Sequence, residues 1–173
     1  MSPADSAILK HRWAGLSDHG VGGGLDNSLS GGAVTAYDDL GAPANVQFRW
    51  AKTDNAAGGG DTWNLFYKTS DSATGATTKW TNVGQDYAFD AQGRLSPAVD
   101  ATTVTGMTVN GIALGNVTLN HGSSNITQYN DENGTVSTNQ LDQNGYPSGE
   151  LVSIAVSENG RVTGTYSNGK TID

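Results

Sequence analysis

The 173-residue chain contains no cysteine, and only three glutamates, five lysines and four arginines. Without cysteine, neither disulfides nor thiolate metal sites can hold the fold together. Scarcity of Glu and Lys removes two of the better helix formers. Between Arg94 and Arg161 there is no cation at all, while Asp100, Asp131, Glu132, Asp142, Glu150 and Glu158 all lie there, and the formal net charge is −8. Such a surface repels phosphate backbones and anionic lipid, so nucleic-acid and membrane binding are not expected. No apolar run approaches the roughly 20 residues of a membrane-spanning helix. Met1 to Leu9 shows no basic start followed by an apolar core, so no secretory signal is expected.

What is present is glycine, 24 of them, with many Thr, Asn and Ser. A hydrophobic content of 35% is low, but four Trp, six Tyr and three Phe fall in alternating runs, which disordered chains lack. Residues 1–31 read as a Gly-rich arm or linker: Ala7 to Leu16 suits a short helix, and Gly20, Gly22, Gly23 and Gly24 follow at once. Residues 32–173 read as one β domain. Val46, Phe48 and Trp50 alternate with polar neighbours, as do Trp63, Leu65 and Tyr67, with Phe66 on the opposite face. Further strands are predicted at Val34–Tyr37, Asp86–Phe89, Val104–Val109, Val117–Leu119, Leu151–Val156 and Val162–Tyr166. The fold class is all-β, an antiparallel barrel or sandwich built from hairpins.

Register sharpens this. A one-residue slip turns every side chain to the other face. Loop Glu158-Asn159-Gly160 pairs Val156 with Val162 and Val152 with Tyr166, and keeps one apolar face to be sealed inward. Loop Ala91-Gln92-Gly93 sets Phe89 against Leu95, and loop Asp39-Leu40-Gly41 sets Val34 against Val46 and Ala36 against Ala44. All three close on a glycine in the third loop position, suited to a left-handed bulge. No register is convincing around Asn133-Gly134.

These stretches carry a resemblance. Val34-Thr35-Ala36-Tyr37-Asp38-Asp39-Leu40-Gly41, Tyr87 to Leu95, and Gln143 to Gly169 ending in Tyr166-Ser167-Asn168-Gly169 occur in the order found in the bacterial flagellar hook protein family. The match resembles the middle, surface-side domain of that family and reaches over residues 33–169, although Ala36 stands where the family more often has a larger residue. The resemblance implies a structural subunit, not an enzyme. It implies self-assembly into a curved extracellular tube acting as a universal joint, with export that needs no cleaved signal peptide. Neighbouring copies of the same subunit would be the partners, and no cofactor is implied. The terminal helical segments of the family have no counterpart heptads here, so the isolated chain is expected to be monomeric.

No constellation points to chemistry. His11, His19 and His121 show no ligand spacing and read as exposed loop histidines, so no metal site is expected. Ser17-Asp18-His19 is too local for triad geometry. Counting from Gly134 as the sixth position of a calcium loop puts Tyr129 first and Gln140 twelfth, where carboxylates are needed. Asp38 and Asp39 read as turn starters, and Asp86 and Asp90 as solvated residues flanking a strand. Gly20 to Leu25 lacks a preceding strand for a phosphate cradle, and the sequons at Asn116 and Asn125 are what an Asn/Thr-rich chain produces by chance. The alternative function is a secreted carbohydrate-binding module, with Trp50, Trp63 and Tyr67 stacking on sugars. Their apolar strand-mates favour a core instead. Trp13 and Trp80 are the better candidates for exposed contacts, and Tyr146 and Tyr166 are expected to be buried.

Overall fold

The computed structural model of the chain describes residues 18–19, 28–54, 61–74, 77–122, 125–129 and 136–173. Ala7 to Leu16, Gly20 to Leu25, Trp13, His11 and Asp131 to Gly134 lie outside them. Ten strands follow one another: β1 (Asp18–His19), β2 (Leu29–Tyr37), β3 (Pro43–Asp54), β4 (Thr62–Lys68), β5 (Thr78–Ala88), β6 (Ala101–Val109), β7 (Ile112–Asn120), β8 (Leu151–Val156), β9 (Val162–Tyr166) and β10 (Thr171–Ile172). All pairings are antiparallel, and among the described residues there is no helix. The all-β expectation holds.

A five-stranded sheet, ordered β1-β5-β4-β3-β2, is covered on one face by the β6–β7 hairpin. Between them lie Val46, Phe48, Leu65, Tyr67, Val83, Tyr87, Phe89, Val104, Met107 and Val109, all buried, with Trp50 and Trp63 packed at the margin. Burying each large apolar side chain there contributes about 1.5–3 kcal/mol, the main stabilising term of this sandwich. Strand alternation puts Phe66 on the opposite face, where it meets Ala51 and Trp80 in a second buried cluster.

The inward set of β6 changes parity along its length. Thr102 and Val104 point inward, then Met107 and Val109 do, because Val104 pairs Val117 but Met107 pairs Gly115. Two residues, Thr105 and Gly106, stand opposite Asn116 alone, and the Gly106 amide donates to Asn116 Oδ1 at 3.1 Å. This bulge is what brings Met107 to full burial.

Predicted registers are met at two loops: Val34 faces Val46, Ala36 faces Ala44, and Phe89 faces Leu95. At the third, Val156 faces Val162 as expected, but Tyr166 pairs with Leu151 and not with Val152. The correction has a visible cause. Ser167 N donates to Glu150 O at 2.8 Å and Glu150 N donates to Ser167 Oγ at 2.9 Å, which fixes the hairpin end one residue away. Val152 becomes the extra residue of a bulge.

Candidate assembly surface

Four loops share one construction. Gly41, Gly93, Gly160 and Gly169 have φ of +79°, +73°, +77° and +81°, and their amides donate back to Asp38, Asp90, Ser157 and Tyr166 carbonyls. Left-handed backbone at the third loop position is the reason glycine stands there. Asp38 Oδ1 accepts from Leu40 and Ala42 amides at 2.9 and 2.8 Å, as its reading as a turn starter requires. Asp90 does the same for Gln92 and Arg94, so it is a turn acceptor and more than a solvated flank. The Arg94 amide foremost, then that of Gln92 and the Arg94 charge, hold the Asp90 carboxyl below its ordinary value.

The fourth loop, Ser167-Asn168-Gly169, was not read from the sequence. Its return strand β10 has two residues, too few to show a period. Also missed was the turn Asn110-Gly111 between β6 and β7, with φ of +50° and +83°. Asn-Gly between apolar runs is a strong hairpin signal. Asn110 reaches beyond its own hairpin: its Oδ1 accepts from Asp71 N at 2.7 Å, and its Nδ2 donates to Asp71 Oδ2 at 2.6 Å. Lys68 forms an ion pair with the same carboxylate, and together with Asn110 holds it below the usual carboxylate range.

Sheet β10-β9-β8 is the exception to burial. Leu151, Val152, Ile154, Val156, Val162 and Ile172 are each more than half exposed, with Ile154 at 63%. The inward seal expected of this hairpin is therefore absent, because no described layer lies over it. Six of the eleven exposed large hydrophobic side chains among the described residues sit on this short ribbon, the kind of grouping that marks a contact.

Several sequence-picked residues sit elsewhere than expected. Trp80 is 8% exposed, flanked by Arg49 and Lys68 with their charges 5.9 Å from the ring centre, so it is no exposed contact. Tyr67 is buried, and Trp50 and Trp63 pack on the core, which leaves no planar aromatic row for a sugar. Tyr146 is 50% exposed, contrary to expectation, and Tyr166 is half-buried. His121 is half-buried, not an exposed loop histidine. Its Nε2 lies 2.8 Å from the hydroxyl of Tyr87, a fully buried residue that also meets Thr102 Oγ1 at 3.1 Å. Burial holds the His121 imidazole below its ordinary value and raises the Tyr87 phenol. Among the described residues, no group of three His, Asp or Glu gathers as metal ligands would, and no helix is long and apolar enough to cross a membrane.

The described residues thus form an all-β, two-layer fold with glycine-closed hairpins and an uncovered apolar ribbon. The chain belongs to the family of the flagellar basal body protein FlaE D2 domain, whose pattern matches residues 29–146. It is similar to flagellar hook protein FlgE of Salmonella typhimurium, 32% identical over 137 residues, which is 79% of this chain and 31% of that protein. Similarity to FlgE of Escherichia coli K12 is 28% over 140 residues, 81% of this chain and 32% of that protein. The chain thus spans about a third of the length of these curated relatives.

Proposed function

We propose that the chain is the D2-containing portion of a flagellar hook subunit, located in the extracellular hook, with a structural and non-enzymatic role. The observation that carries this reading is the family match over residues 29–146 together with hook-protein relatives aligned over 79% of the chain. Self-association in the full-length subunit is its partner chemistry. The β8–β10 ribbon supplies an apolar contact for that packing, and the acidic sandwich surface supplies wet, exchangeable contacts.

The ribbon does not by itself hold two isolated chains together. Strands of six and five residues give roughly 175 Å² per face at about 3.3 Å per residue and 4.8 Å per strand. A stable interface needs about 800 Å² per partner. The isolated chain is therefore monomeric, and the contact becomes effective only where assembly raises its local concentration. A stable oligomer by light scattering at micromolar concentration would contradict this.

The decisive experiment replaces the matched segment of Salmonella FlgE with residues 29–146 of this chain. Hooks visible by electron microscopy and restored motility are expected. A chimaera that folds and is exported yet forms no tube sinks the proposal. A sugar-binding role lacks support in the packing of Trp50, Trp63, Tyr67 and Trp80 described above.

A further inference from the structure

Residues 136–150 follow β2 and then leave it for the ribbon. Leu141 lies against Gly32, Gly145 against Tyr37, and Ser148 against Gly41. The last five residues then touch the two units in turn. Tyr146 carries the Lys170 ammonium over its ring at 3.8 Å. Pro147 O accepts from Asn168 Nδ2 at 2.7 Å. Ser148 N donates to Gly41 O at 3.3 Å. Gly149 lies against the Asn168 carboxamide, and Glu150 exchanges two hydrogen bonds with Ser167.

We infer that residues 146–150, pinched between the Asp38–Gly41 turn and the Ser167–Lys170 turn, form a clasp that sets the angle between sandwich and ribbon. Gly41 and Asn168 are its orienting residues. The inference stands apart from the hook assignment, since it concerns only contacts within the chain.

Steric facts separate the clasp from ordinary turn chemistry. A Cβ on Gly41 would stand 2.1 Å from Ser148 N and 2.6 Å from Ser148 Cα, backbone atoms that cannot rotate aside. Gly160, at nearly the same φ and in the same kind of loop, has nothing within 4 Å of that position. Both glycines meet the demand for left-handed backbone, but only Gly41 also meets a demand for space. Asn168 divides its carboxamide: Oδ1 accepts from Lys170 N within its own loop at 3.0 Å, while Nδ2 reaches across to the connector.

The test uses the full 173-residue chain and NMR residual dipolar couplings, which report whether two units share one orientation. In the unmodified chain and in Gly160→Ala, couplings from the strands β2 to β7 and from β8 to β10 fit a single alignment tensor. In Gly41→Ala they require two tensors, because the added methyl expels Ser148. Should Gly41→Ala fail to fold, Asn168→Asp carries the same test. It keeps the Oδ1 acceptor and the loop but loses the donor to Pro147, and two tensors are expected again. A single tensor in the folded variants overturns the inference, as do two tensors in the unmodified chain.

Discussion

After Tyr37 the chain turns through Asp38–Gly41 and brings Val46 opposite Val34, on a face that packs under β6–β7. After Val156 it turns through Ser157–Gly160 and brings Val162 opposite Val156, and both stay more than half exposed. The loop chemistry is the same, with the same glycine geometry and the same backfolded amide. What differs is the second layer. Register is decided locally, by the loop and the need to keep apolar residues on one face. Burial is decided by whatever arrives to cover that face, and β6–β7 arrives for only one of the two sheets.

The largest effect that tests this contrast is truncation of a core side chain against truncation of a ribbon side chain. Met107→Ala removes a fully buried side chain and is expected to cost about 2–5 kcal/mol. Ile154→Ala, at 63% exposure, is expected to stay within about 0.5 kcal/mol. Urea unfolding followed by tryptophan fluorescence measures both. Comparable losses from the two would mean that the ribbon has a cover after all.

A smaller effect separates two glycines of equal backbone demand. Gly160→Ala introduces left-handed strain alone, about 1–2 kcal/mol. Gly93→Ala adds a collision, since its Cβ would stand 1.9 Å from Gln128 O, the segment that also donates from Gln128 N to Gly93 O at 2.8 Å. Thermal unfolding should place Gly93→Ala clearly below Gly160→Ala. Equal melting temperatures would show that the neighbouring segment yields without cost.

The same contrast explains what the sequence made readable. Three loops were legible because a glycine in the third position and an apolar partner on each side leave one coherent register, as at Phe89 and Leu95. The early half of β5 was not, because Phe66 pairs Asn82 and Asn64 pairs Asp86, so Leu65 faces extra residues around Gly84 and the alternation is interrupted. Trp80 was misplaced for a related reason: it belongs to the second face, and a strand's own sequence does not say whether both faces are covered. The exposure of Ile154 is the mirror case. The strands of the candidate surface were legible but its exposure was not, and the clasp was the least legible part, since it joins Gly41 to Ser148 and Pro147 to Asn168 across separations that no local pattern encodes.

The smallest expected effect belongs to His121, which closes the sandwich beside Tyr87 with ring centres 5.3 Å apart. Burial lowers its proton affinity in the folded state, so the unfolded chain binds the proton more readily. Stability from the neutral ring is therefore complete above the unfolded value of 6.5 and declines as pH falls through the lowered folded value. Asp71 and Asp90, also lowered, are lost only below the carboxylate value of 3.8, which keeps the two windows apart. Unfolding midpoints compared between about pH 7.5 and 5.5 should fall for the unmodified chain and stay level for His121→Gln. The ribbon has no histidine, so its amide chemical shifts should hold steady across that window. A ribbon that changes along with the sandwich would mean that the two share more than the clasp at residues 146–150.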